Sequence, residues 1–76
     1  MHVFVVFPST HEAMRLDHLL TQAGIEHDLI PVPRALSASC GVAVRLKPEL
    51  EERVRALAEG GGVRTEGFHR LGSEGR

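Results

Sequence analysis

Four antiparallel strands with two helices packed on one face, a sandwich of α+β class, is the fold that three features of this 76-residue chain predict. Strand-like and helix-like apolar patterns follow one another in the order β-α-β-β-α-β. The two helical stretches each carry a single apolar stripe, enough to cover one sheet face. Prolines interrupt one of the strand-like runs, which marks it as a sheet edge.

The first segment, Val3 to Phe7, is β-branched and aromatic, the composition of a strand. A continuous apolar run of this length reads as buried on both faces, hence central. Pro8 ends it. Ser9-Thr10-His11-Glu12 has the S-x-x-E spacing of a capping box, in which Ser9 accepts from a backbone N–H while Glu12 reaches back. Ala13, Leu16, Leu20 and Ala23 then share one helical stripe, with Leu19 beside it. Gly24 stands where a left-handed residue closes a helix, and Ile25 supplies the accompanying hydrophobic contact.

Asp28 to Val32 reads as a second strand, stopped by Pro31 and Pro33 and therefore at an edge. Arg34 to Cys40 is small and polar and reads as a loop. Val42 to Leu46 forms a third strand. Pro48 suits a first helical position, and Leu50, Val54, Leu57 and Ala58 give a second amphipathic stripe. Gly60-Gly61-Gly62 ends that helix. Val63 to Leu71 holds a weaker last strand anchored by Val63 and Phe68. One domain over residues 1–71 results, with 72–76 as a frayed tail.

The assembly expected from this order is ferredoxin-like, with the first and third strands central. Its connectivity has a functional consequence. With the first strand running up, the Pro8–His11 turn, the Pro33–Cys40 loop and the triple-glycine turn all lie at the upper end. Cys40 then faces the N-terminus of the first helix. The sheet face without helices is open in a monomer, which allows a homodimer through it.

Composition excludes several classes. A net charge of −1 removes the electrostatic case for nucleic acid or an anionic membrane. The Val3–Phe7 run is far too short for a membrane span, and no signal-peptide pattern is seen. Single-stranded RNA binders of this fold display aromatics on the sheet, whereas this chain has three phenylalanines and no tyrosine or tryptophan. One cysteine permits no internal disulfide, no multi-cysteine zinc site and no C-x-x-C redox pair. The expectation is a cytoplasmic protein with a reduced thiol.

That thiol is the main chemical candidate. Cys40 follows Ser37-Ala38-Ser39 and precedes Gly41. A thiol reacts as its thiolate. A helix N-terminus at Ser9, Thr10 and His11 favours such an anion, Arg34 adds a permanent cation, Ser37 and Ser39 can donate hydrogen bonds, and Gly41 permits close approach. His11 can carry a proton there. The other reading is a small hydrophobe at the start of a strand. His11 and His18 share a helical face but lie roughly 10 Å apart, too far for one metal ion, and the remaining histidines are scattered and read as solvated. Glu49, Glu51 and Glu52 complement the second helix dipole. Arg53 and Arg55 read as solvated charge. The glycine triplet is followed by a strand and lacks the Lys-Ser/Thr pair of a phosphate loop.

The string Leu29 to Arg45, with Pro31, Pro33, Arg34, Ser37, Ser39, Cys40 and Gly41 in the order P-x-P-R…S-x-S-C-G, resembles a family of small bacterial domains described as selenium/sulfur carrier protein-like. Phe7, the Ser9-Thr10-His11 turn and the helix with Ala13 and Leu20 also look similar. The resemblance implies a cytoplasmic carrier or delivery role with Cys40 as the chalcogen-bearing thiol. Joined to the reading of the surrounding residues, this gives a carrier rather than a stand-alone enzyme, with Arg34 as anion stabiliser, donor and acceptor proteins as partners, and no dissociable cofactor or metal. The alternative is a non-catalytic regulatory or interaction module of the same fold.

Overall fold

The computed structural model describes residues 1–72; most of the expected tail, 73–76, lies outside them. The elements run β1 (His2–Val6), α1 (Thr10–Gln22), β2 (Asp28–Pro31), β3 (Val42–Leu46), a 3-10 turn (Pro48–Leu50), α2 (Glu51–Gly60) and β4 (Gly67–Leu71). One four-stranded sheet has the order β2-β3-β1-β4. Every neighbouring pair is antiparallel. The arrangement is ferredoxin-like, with β1 and β3 central and the proline-marked β2 at an edge.

β1 pairs Val3 with Leu46 and Val6 with Ala43 on one side, and Val3 with Arg70 and Val6 with Gly67 on the other. Alternation along the strand then sorts its side chains. Val3, Val5 and Phe7 join Val44 and Leu46 beneath Ala13, Leu16 and Leu20 of α1 and Val54 and Ala58 of α2 in one core. Both helices therefore cover the same face. On the opposite face Phe4, Val6 and Ala43 are also fully buried. Phe4 has Arg45 and His69 as cross-strand partners, and the His2 ring meets it edge-on at 6.5 Å. The exposed large apolar residues among those described are Met1, Met14 and Leu29. The motive for a homodimer through the open face, a bare apolar surface, is thus not found there.

Both helices end in the same closure. In α1, Gly24 adopts φ 71°; its N–H meets Thr21 O at 3.2 Å and the Ile25 N–H meets Leu20 O at 2.9 Å. In α2, Gly62 adopts φ 70°, with Gly62 N–H to Glu59 O at 3.2 Å and Val63 N–H to Ala58 O at 2.9 Å. These are Schellman closures, and Ile25 and Val63 are the buried residues that follow the left-handed glycine. The sequence pattern puts Val63 in the last strand. It closes the helix instead, and β4 begins at Gly67. Likewise β2 stops at Pro31, one residue short of Val32.

Two further expectations change. His27 is not solvated: its Nδ1 lies 2.7 Å from Ile25 O and its Nε2 2.7 Å from Asp17 Oδ1, tying α1 to the start of β2. Arg55 is exposed but engaged. It bonds Glu51 at 3.1 and 2.9 Å, and its guanidinium lies 4.2 Å from the centre of the Phe68 ring, a cation–π contact between α2 and β4.

Candidate functional site around Cys40

The loop that carries Cys40 leaves β2 and returns into β3. Pro33 starts a tight turn closed by the Leu36 N–H to Pro33 O at 3.0 Å. The Val32 N–H to Gly41 O bond, 3.0 Å, closes the base. Between these points the chain is free of ladder bonds and is held from outside.

Ser39 provides that hold. Its backbone N–H donates to Glu66 Oε1 at 3.0 Å and its hydroxyl to Glu66 Oε2 at 2.7 Å. Glu66 immediately precedes β4, and its own N–H donates to Val6 O at 2.7 Å. Because β1 lies between β3 and β4, the Ser39–Glu66 pair spans the C-terminal end of β1. The two Ser39 bonds hold the Glu66 carboxyl below the usual carboxylate range.

Cys40 itself is half-buried and packs against the edge of the core. Its Sγ lies 3.4 Å from the Val42 N, which donates to it, and its thiol donates to Val42 O at 3.2 Å. Arg34 is exposed and makes no ion pair among the described residues. Ser37 and Gly41 are exposed as well.

The expected partners from α1 lie at the same end. Val6 pairs with Ala43 at the C-terminal end of β1; Ser9 follows that end by three residues, and Cys40 precedes the start of β3 by two. Ser9 caps the helix, accepting the Glu12 N–H at 3.4 Å; Thr10 and His11 are exposed. No hydrogen bond or ion pair joins Ser9, Thr10 or His11 to Cys40 among the described residues. The capping box is half-formed, because the Glu12 carboxylate accepts instead from the Arg64 N–H at 3.1 Å and from Arg15 at 3.2 Å. Arg15 also donates to Gly61 O at 2.8 Å and Gly62 O at 3.2 Å, so α1 grips the turn after α2. His11 lines a groove of about 310 Å³ with Met14, His18 and Leu19, beside that turn, on the flank of α1. No group of three or more His, Cys, Asp or Glu suited to a metal occurs among the described residues, and no described helix is long and apolar enough to cross a membrane.

Glu66 is the residue that sequence reasoning missed. It stands 26 residues beyond Cys40 in a segment read as strand, and only the β4-β1-β3 order brings it to Ser39.

Comparison with curated proteins and with solved structures returned no match in either case. A family model described as "Putative Se/S carrier protein-like" covers residues 2–70, from the start of β1 almost to the end of β4, and with that span matched the chain belongs to this family.

Proposed function

We propose that the protein carries sulfur or selenium on Cys40 and delivers it to an acceptor protein. The observation that carries this reading is the family match over residues 2–70. The Cys40 thiolate attacks the outer sulfur of a donor persulfide. A bond forms between Cys40 Sγ and that sulfur, the donor's S–S bond breaks, and the donor leaves as a thiolate, so no external oxidant is consumed. Delivery repeats the exchange with the acceptor thiolate as nucleophile. A selenium analogue follows the same course.

The surroundings of Cys40 support the chemistry without a resident cofactor. The Val42 N–H faces the sulfur, and Arg34, exposed in the same loop, supplies a cation for the anionic adduct. Ser37, Ser39 and Gly41 flank the sulfur's approach, and the α1 terminus at Ser9, Thr10 and His11 adds its dipole at that end of the sheet. This reading places the protein in the cytoplasm, where a single thiol stays reduced.

The test is mass spectrometry of the protein after incubation with a cysteine desulfurase and cysteine. The expected result is a gain of one sulfur atom that thiol reductant removes and that Cys40→Ser abolishes. A chain that stays unmodified while the desulfurase itself is persulfidated overturns the carrier reading in favour of an interaction module. Arg34→Ala is expected to slow loading severalfold while leaving the melting temperature unchanged.

A further inference from the structure

The Ser39–Glu66 pair is the one place, among the described residues, where the Cys40 loop is fastened to the far side of the sheet. Three distances define it: Ser39 N to Oε1 at 3.0 Å, Ser39 Oγ to Oε2 at 2.7 Å, and Glu66 N to Val6 O at 2.7 Å. The last bond anchors the Glu66 backbone to β1, so the carboxylate has a fixed base from which to hold the loop. Both of its oxygens are engaged, and both donors of Ser39 are consumed. On the other flank of Cys40 the loop is closed by the Val32–Gly41 bond and by the contact of Sγ with the Val42 backbone. Cys40, between these two fastenings along the chain, is half-buried, while Ser39 and Glu66 are exposed.

We infer that Glu66 is a latch on the Cys40 loop: as a carboxylate it holds Ser39 and limits access to the thiol, and release of Ser39 opens the loop. The inference takes its functional meaning from the carrier reading, while its test reads the latch alone. A partner that offers acceptors to Ser39, or a fall in pH, opens it. The pH sense follows from the bonds. A protonated carboxyl keeps one acceptor oxygen and loses the charge that strengthens both contacts. Glu66 titrates below the usual glutamate range, so the latch is closed at neutral pH and opens only in acid. Among the other charged or titratable groups at this end, Glu12 holds the Arg64 N–H and Arg15 and interacts with the His11 charge, while the Arg34, Arg64 and His11 side chains are exposed. The interactions that lower the Glu66 titration come from Ser39.

Two measurements on the full chain decide it. The Ser39 amide resonance, followed by NMR from neutral to acid pH, is expected to titrate with a midpoint below that of a free glutamate; in Glu66→Gln this titration disappears. Alkylation of Cys40 by iodoacetamide at neutral pH is expected to run about threefold or more faster in Glu66→Gln than in the parent, at unchanged far-UV circular dichroism. Ser39→Ala leaves the Glu66 charge in place and removes one of the two bonds, so it separates loop opening from charge removal and is expected to give a smaller acceleration. An acceleration confined to Glu66→Gln, or a Ser39 amide that does not titrate, overturns the latch. Neither result depends on whether Cys40 accepts a persulfide, so failure of the latch and failure of the carrier reading are told apart.

Discussion

Glu12, Glu51 and Glu66 each take hydrogen bonds from parts of the chain distant in sequence, and each is held below the ordinary glutamate range. For Glu12 the largest cause is the Arg64 N–H, aided by the charges of Arg15 and His11. For Glu51 it is the bond from Arg55, followed by that from Arg70. A carboxyl depressed on folding contributes stability that is fully present above its unfolded value and is lost as pH falls through the folded one. The urea midpoint is therefore expected to be flat from neutral pH down to about 4.3, the unperturbed glutamate value, and to fall below it. Glu12→Gln should shrink that acid loss and lower the midpoint at neutral pH. An acid limb identical in the parent and Glu12→Gln would show that the Arg64 and Arg15 contacts to Glu12 are not stabilising.

Helix ends set the prediction at the next scale. Gly24 holds φ 71°, and a methyl group on its Cα would have no other atom within 4 Å, so Gly24→Ala meets no clash and suffers only the left-handed backbone. That conformation costs an L-residue about 1 kcal/mol. Gly60 differs. It is the last residue of α2, has no positive φ, and likewise has open space around it. Gly60→Ala should stabilise by roughly 0.5–1 kcal/mol through helix propensity and the smaller entropy of the unfolded chain. Denaturant midpoints moving in opposite directions for these two glycine-to-alanine changes would verify the cap assignment. Arg55→Ala is expected to lower stability by up to about 1 kcal/mol, because it removes both the Phe68 contact and the bonds to Glu51; an unchanged midpoint would return Arg55 to the status of solvated charge.

Across the whole molecule the margin is small. A 76-residue domain has a stability of roughly 4–11 kcal/mol, and it rests on one core shared by β1, β3, α1 and α2. Leu20 and Val54 are fully buried in that core, one from each helix. Leu20→Ala is expected to cost about 2–5 kcal/mol and Val54→Ala somewhat less, enough in a domain of this size to populate the unfolded state measurably. Equilibrium urea unfolding reads both losses. A Leu20→Ala midpoint equal to that of the parent would mean that α1 does not pack with this face inward.

Residues whose neighbours are close in sequence could be read directly. The first strand, at His2–Val6 one residue earlier than the Val3–Phe7 run, the Ser9 cap, the stripe through Ala13, Leu16 and Leu20, the Gly24 closure and the proline-marked edge all stand at or within a residue of where local patterns put them, because dihedral preference, side-chain period and capping act over a few residues. The strand order followed from the same patterns through the small number of ways such elements connect. Cys40 in its loop was likewise legible, as the one thiol among small polar residues. Contacts between distant segments were not. Glu66 on Ser39, Arg15 on the turn at Gly61 and Gly62, Glu12 on the Arg64 N–H and His27 between Asp17 and Ile25 each depend on where folding sets two backbones. A polar side chain carries no periodicity that names its partner, and Glu12 shows why: its spacing from Ser9 matches a capping box, yet the Arg64 amide and Arg15 guanidinium, brought within 3.1 and 3.2 Å by the fold, take its carboxylate instead.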